Sequence, residues 1–249
     1  MTLARYIFWI YHLKEDYMKK SLKFEVTVTM FLFLFMTFLN VSGGDKMSGE
    51  EKTLTLPKPR YKSQVSVEEA ILKRRSIRNY LDEPIDLGEL SQLLWSIQGI
   101  TDKERDFRAA PSAGALYPLE VYVIVGNVLS LKEGIYRYIP LRHEIVKMSE
   151  GDYRERLSKA ALGQTCVRDA AIDIVISGVY DRITKKYGER GIRYTYMEAG
   201  HAAQNAYLQA EALNLGTVVV GAFIDDKVKE VVGLKEYETP LYILPVGKK

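Results

Sequence analysis

Cysteine is nearly absent. Cys166 is the one thiol in 249 residues, so neither an intramolecular disulfide nor a cysteine-based metal site can form. Its expected role is that of a small buried apolar residue. Histidine is scarce too: His12, His143 and His201 are the three, and no two have the close spacing of a histidine zinc motif. Charge of one sign is also lacking. The 35 basic and 32 acidic residues are interleaved and leave a net charge of +3, without the footprint of a nucleic-acid binder. No Gly-x-Ser-x-Gly elbow offers an acyl-transfer serine. Gly216 and Gly221 have the interval of a phosphate loop, but Ala222 and Phe223 stand where a lysine and a hydroxyl residue belong, which excludes a Walker A site. Gly188 and Gly191 lack the partner that a dinucleotide fingerprint needs. Hydrolase and nucleotide-triphosphatase chemistry have nothing to rest on.

One long hydrophobic run is present, and it stands near the start. Val26 to Leu39 is apolar apart from threonines, follows Lys14, Lys19, Lys20 and Lys23, and exits through Asn40-Val41-Ser42-Gly43-Gly44. A basic region, a short apolar stretch and small exit residues describe a signal peptide or an uncleaved anchor. The run falls short of the roughly 20 residues that span a bilayer unless Val41 to Gly44 are counted. A buried core helix is the competing reading, but it needs polar spacing that the run lacks. Met18 is a second natural start, which leaves residues 1–17 as an extension. We therefore expect a leader over 1–43 and a linker over 44–64, with the body exported or membrane-anchored through residues 26–43. Positive charge before the run and none just after puts that body outside the cytoplasm. If the segment is unused, the protein stays cytoplasmic. The remaining residues, about 200, suffice for one domain over 65–249.

Within that domain, Ser66 and Glu69 form a capping box ahead of a helix with apolar positions at Val67, Ala70 and Ile71. Asp86 and Glu89 repeat the device before a helix carrying Leu90, Leu93, Leu94 and Ile97, closed by Gly99. Thr101 to Ala110 reads as a charged loop. Leu119–Val125 and Ala171–Ser177 read as strands, and Gly134–Met148 as a hairpin turning at Pro140. Asp152–Leu162 is a helix stopped by Gly163. The longest helix runs from about Ile192 to Asn214, with Ala199, Ala202, Ala203, Ala206, Ala210 and Leu213 on one face. That alanine face suits close approach of another helix, at a subunit interface or not, and equally suits an ordinary core stripe. Thr217–Val220 reads as a strand, Asp225–Val232 as a short capped helix and Pro240–Val246 as a last strand. Hairpins mixed with helices, and no βαβ repeat, give an α+β class.

The densest chemistry lies in Arg74-Arg75-Ser76-Ile77-Arg78, three guanidiniums and a hydroxyl just after the first helix. Such forks match phosphate and carbonyl oxygens, and three so close repel one another unless something anionic sits among them. A solvated surface run, partly neutralised by Asp82 and Glu83, is the competing reading. Three further segments could complete a site. Pro111-Ser112-Ala113-Gly114-Ala115-Leu116-Tyr117-Pro118 is a small-residue turn where backbone can approach a ligand. Val220-Gly221-Ala222-Phe223 ends a strand where free N–H groups are expected. Gly247-Lys248-Lys249 adds cations after the last strand.

In this order and at these intervals the set resembles the nitroreductase-like FMN-dependent oxidoreductases, over about residues 65–249. It looks most like their SagB-type branch of azoline dehydrogenases, whose small-residue turn Pro111 to Glu120 reproduces intact. The resemblance implies a nitroreductase-like fold: a central mixed or antiparallel sheet flanked by helices, with a long central helix. It also implies FMN as cofactor. Arg74, Arg75, Ser76 and Arg78 would hold the phosphate and the polar edge of the ring, and Lys248 would lie near the phosphate. Pro111, Ser112, Ala113 and Gly114 would meet the flavin, in many members from the partner subunit of a homodimer. Val220, Gly221 and Ala222 would set a backbone N–H against flavin N5. Lys186 and Tyr187 match the branch's pair for removing the substrate proton, although a surface lysine beside a packing tyrosine reads equally well. Lysine suits the role with its pKa lowered, an effect that Lys185 and Arg190 could supply. His201 reads as a buried, hydrogen-bonded core residue.

The function so implied is hydride transfer between FMN and a small organic substrate, with NAD(P)H as reductant, no metal and no nucleic acid. One alternative is an azoline (thiazoline or oxazoline) dehydrogenase acting on a modified peptide. Another, of a different class, is a non-catalytic membrane-tethered flavin-binding module.

Overall fold

The computed structural model describes residues 53–249. The leader and the first part of the linker lie outside the described residues. Among the described residues no helix is long and apolar enough to cross a membrane.

Seven strands form one antiparallel sheet in the order β1-β6-β5-β4-β7-β9-β8. They are β1 (Thr53–Thr55), β4 (Leu119–Val125), β5 (Gly134–Ile139), β6 (Glu144–Glu150), β7 (Ile172–Gly178), β8 (Leu215–Thr217) and β9 (Thr239–Lys248). The central strand β7 is buried along its whole length. Successive side chains alternate between faces, so Ile172, Ile174 and Ile176 enter one core while Asp173 and Val175 face the other. Helices α1 (Val67–Lys73), α2 (Leu87–Gln98) and α6 (Arg190–Ala212) lie on the first face. Helices α3 (Arg154–Ala160), α4 (Thr165–Arg168) and α7 (Asp225–Val232) cover the second. The expected α+β class and long helix are both present.

The alanine face of α6 is core. Ala199, Ala202, Ala203, Ala206 and Ala210 are buried with Leu90, Leu93, Leu94 and Ile97 of α2 and with the isoleucines of β7. Side chains this small let a 23-residue helix lie close between α2 and the sheet. Cys166 is buried as expected, and burial pushes its thiol pKa up.

Several local readings need correction. The charged stretch after Gly99 is a small hairpin of β2 (Ile100–Asp102) and β3 (Phe107–Arg108), which polar residues can form because both strands are largely solvated. Thr53–Thr55, inside the stretch read as linker, pairs with β6, and Leu56 beside it is buried. Helix α5 (Asp181–Tyr187) precedes α6 and had no strong cap to announce it. The strand read over Thr217–Val220 ends at Thr217; Val220 is joined to Ile243 by an isolated bridge. His201 is exposed rather than core, because it lies on the side of α6 away from the sheet.

Of the two predicted capping boxes, the Asp86–Glu89 box is complete, whereas at Ser66 only the bond from the Glu69 N–H to Oγ forms, because the Glu69 carboxylate pairs with Lys73. At α2 the Asp86 carboxylate accepts the Glu89 N–H at 2.8 Å and the Glu89 carboxylate accepts the Asp86 N–H at 2.8 Å. Asp86→Ala removes the first of these, and thermal or urea unfolding should show a loss of about 0.5–2 kcal/mol.

Candidate active site

The arginine segment is carried onto the sheet by two glycines. Gly216 of β8 and Gly247 of β9 face each other across the ladder. A β-carbon at Gly216 would stand 2.7 Å from Ile77 Cγ2, and one at Gly247 would stand 2.7 Å from the Tyr80 β-carbon. With no side chains there, the segment packs directly on the strands. Ile77 N–H donates to Thr217 O at 2.9 Å and Leu81 N–H to Lys248 O at 3.0 Å, which fixes the segment at both ends. Tyr80 fills the space between, its hydroxyl donating to Ile77 O and Pro245 O.

Tyr207, which the sequence reading passed over, organises the result. Its hydroxyl accepts the Val219 N–H at 2.8 Å and shares a hydrogen bond with Ser76 Oγ at 3.0 Å. The Arg74 guanidinium lies over its ring, 5.0 Å from the centroid. One side chain thus ties Arg74 and Ser76 to the strand end at Val219. Its signal in the sequence is a tyrosine beside an alanine stripe. Arg75 is exposed and folds back on its own chain, donating to Leu72 O at 3.0 Å and Arg74 O at 2.8 Å; Arg78 is exposed. Lys248 lies beside the segment, but its ammonium donates to Glu89 at 2.5 Å, so its charge is already matched.

Beyond Val219 the chain turns out of the sheet. The Val220 N–H donates to Ile243 O at 2.8 Å and is not free, while the Gly221 and Ala222 N–H groups, both exposed, have no acceptor among the described residues. A cavity of 290 Å³ opens beside Gly221, walled by Tyr180, Tyr196, Phe223 and Tyr242. A larger cavity of 400 Å³, bordered by Arg60, Tyr61, Trp95 and Gln209, touches none of the predicted site residues.

The small-residue turn lies elsewhere. Ser112 Oγ accepts the Tyr117 N–H at 2.9 Å, and Gly114, Ala115 and Tyr117 all have positive φ, at 66°, 54° and 47°. A β-carbon at Gly114 would stand 2.7 Å from Tyr187 Oη and 3.0 Å from Lys186 Nζ. The turn and the Lys186–Tyr187 pair therefore meet, and glycine at this position makes room for both side chains. Tyr187 is held edge-on by Tyr194 of α6, with ring centroids 5.3 Å apart.

Helix α6 separates the two groups. At about 100° per residue, Tyr196 and Tyr207 fall on one line of the helix, and Tyr194 and Asn205 on another about 160° away. The first line carries the arginine segment and the Gly221 cavity. The second carries the turn side, where Asn205 donates to Ser96 O and Ala109 O and Tyr194 meets Tyr187. The predicted residues assemble into two clusters on opposite flanks of one helix.

A profile described as the nitroreductase family matches residues 71–248, most of the chain. The chain belongs to the nitroreductase family. It is 48% identical over 186 residues to the protein MJ1384 of Methanocaldococcus jannaschii, whose name sets it among the nitroreductases; the match covers 75% of this chain and 92% of that one. It is 27% identical over 175 residues to the microcin B17-processing protein McbC of Escherichia coli, covering 64% of this chain and 60% of McbC. That relationship supports the SagB-type branch. The crystal structure of the Ralstonia eutropha protein reut_a1228 superposes with a TM-score of 0.71 at 29% identity, over 80% of this chain and 90% of that one. A nitroreductase-family member with this fold is an oxidoreductase.

Proposed function

We propose that the protein is an FMN-dependent oxidoreductase, a homodimer that exchanges a hydride with a small organic substrate and takes its electrons from NAD(P)H. The observation that carries the reading is the ridge along one flank of α6, where Arg74 and Ser76, gathered by Tyr207, lead to the free N–H groups of Gly221 and Ala222. Cations at one end and backbone donors at the other fit a molecule with a phosphate tail and a polar-edged ring. FMN, when bound there, supplies the two-electron chemistry. Arg74 and Ser76 hold its phosphate end, and Gly221 or Ala222, rather than Val220, offers the N–H toward N5. The aromatic cavity beside Gly221 excludes water and receives the substrate.

The flank bearing Ser112, Ala113 and Gly114 faces away from this ridge, so a second copy supplies the turn. The exposed apolar residues of α1 support such a pairing: Val67, Ile71 and Leu72 are 64%, 57% and 73% exposed. Light scattering after gel filtration should report a dimer.

Purified protein given FMN should take up the cofactor with visible flavin absorption, which NADPH then bleaches. A colourless protein that retains no FMN sinks the proposal. Bound FMN that neither nicotinamide reduces, and that passes no electrons onward, leaves a non-catalytic flavin-binding module instead.

A second reading, dehydrogenation of an azoline in a modified peptide, is favoured by the meeting of Lys186 and Tyr187 with the Gly114 turn. There Lys186 or Tyr187 would remove the substrate proton, and bound FMN would supply the hydride acceptor. Lys186→Ala and Tyr187→Phe should then each lower kcat by about 10²–10⁴-fold, the usual scale of general-base catalysis. Unchanged turnover of a thiazoline peptide in both variants would leave the pair with a packing role.

A further inference from the structure

Behind the 111–117 turn lies a buried acid that the reaction outlined above does not use. Glu198, on α6, is 2% exposed, and among the described residues neither of its carboxyl oxygens has a hydrogen-bond partner. Gln98 of α2 is fully buried beside it and has an Nε2 that is likewise unpartnered. Its Oε1 accepts Arg108 Nη1 at 2.8 Å. Ser112 and Gln98 are the neutral polar side chains that neighbour the carboxyl, yet neither reaches hydrogen-bond geometry; Arg108 is the charge that faces it. Around Arg108 stand Glu120, Arg182 and Tyr117.

Three unpartnered polar atoms converge there, and a partly satisfied buried polar cluster is costly to keep. Two of these neighbours, Ser112 and Arg108, also hold the turn. Ser112 begins it, and Ser112 Oγ holds the Tyr117 N–H. Arg108 grips its far end twice: its N–H donates to Tyr117 Oη at 3.2 Å, and its guanidinium lies 4.5 Å from the Tyr117 ring centroid. The turn is held at three positive-φ residues, two of them not glycine, so its shape depends on contacts such as these.

We propose that Glu198 is a proton-responsive positioning residue: neutral, it leaves Arg108 on Gln98 and Tyr117 and the turn in the form described here; ionised, it draws Arg108 away and loosens the turn. The step is a single proton leaving the carboxyl for solvent, with no electron moved. The chemistry of a buried acid supports this. Removal from water pushes the Glu198 pKa up to about 7, with Ser112, Gln98 and Arg108 opposing the shift. Both proton states are then populated near neutrality, so the turn's grip on the flavin of the neighbouring copy changes within that range.

The inference rests on the FMN reading for its consequence, though not for the titration. The experiment measures FMN dissociation constants by flavin fluorescence from pH 5.5 to 8.5, a window of our choosing centred on about one neutral pKa, for the wild type and Glu198→Gln. The wild type should bind FMN about tenfold more weakly at the upper end, the change that one unit of linked pKa produces. Glu198→Gln, neutral at every pH, should keep the tight value throughout. A Glu198→Gln profile that falls in parallel with the wild type overturns the proposal, as does a flat wild-type profile. Failure of both proteins to bind FMN at any pH sinks the cofactor reading instead. The second arm needs neither ligand nor variant: carbon-13 NMR of wild type labelled at glutamate side-chain carboxyls should show one glutamate titrating near neutrality, with the Tyr117 ring signals following it. A spectrum in which every glutamate titrates in the ordinary acidic range overturns the proposal even if the variant does not fold.

Discussion

Arg74→Ala combined with Ser76→Ala is expected to weaken FMN binding by about two to three orders of magnitude. A charge-assisted hydrogen bond contributes about 1.5–3 kcal/mol and a neutral one about 0.5–1.5 kcal/mol. Each 1.4 kcal/mol is about a tenfold change in affinity. The fold should survive, because Arg75, Ser76 and Arg78 are exposed, Arg74 is half-exposed, and the segment is held to the sheet by backbone bonds from Ile77 and Leu81. Far-ultraviolet circular dichroism checks that point, and calorimetric titration with FMN checks the affinity. Restoring Ser76 alone should recover little, since Tyr207 still holds the Val219 N–H without it. An affinity within threefold of the wild type would falsify the assignment of this segment to the phosphate.

Asp173→Asn should stabilise the protein at neutral pH and remove a slope from its stability curve. Asp173 is fully buried in the second core, and among the described residues neither of its oxygens has a partner. Burial raises its pKa well above the ordinary carboxylate value, opposed by Arg154, whose own guanidinium is engaged by Asp152 and Ala170 O. The sign follows from linkage: a group with a raised folded pKa keeps its full stability below the unfolded value, about 3.9, and loses it as pH climbs toward the folded pKa. Wild-type stability should therefore fall from about pH 4 toward neutrality relative to the variant. Each kcal/mol of that linkage moves the midpoint of a domain this size by roughly 2–4 °C. Thermal melts of both proteins across that range decide it; parallel curves would show that Asp173 finds a partner in solution. Glu238 is the internal contrast. It is 3% exposed, yet accepts hydrogen bonds from the Tyr122 and Ser177 hydroxyls at 2.8–3.0 Å.

Much of the fold was legible where periodicity or capping chemistry is local. The Ser66 cap, the Asp86–Glu89 capping box, the leucine face of α2, the Leu119–Val125 strand and the alanine face of α6 are visible because each is fixed by residues within a turn or two of one another. Helix α5 was not, because Tyr180, its first cap residue, makes no side-chain capping bond. The segment around Val220 misled for the reverse reason. Its three valines have strand propensity, but the ladder to β9 ends at Thr217 and only one bridge follows.

The candidate site divides along the same line. The sequence by itself determined which residues carry charge and freedom: the arginine cluster, the small-residue turn, the free amides near Gly221 and the Lys186–Tyr187 pair. It also determined the family. Only the tertiary structure decided how these are grouped, because grouping depends on contacts between residues far apart in the chain. The facing glycines 216 and 247 seat the arginine segment, Tyr207 gathers it, and Gly114 receives Lys186 and Tyr187. Glu198 looks in sequence like one more polar residue on a helix. Its place on the buried side of α6, between Gln98, Arg108 and Ser112, is what gives its proton a consequence.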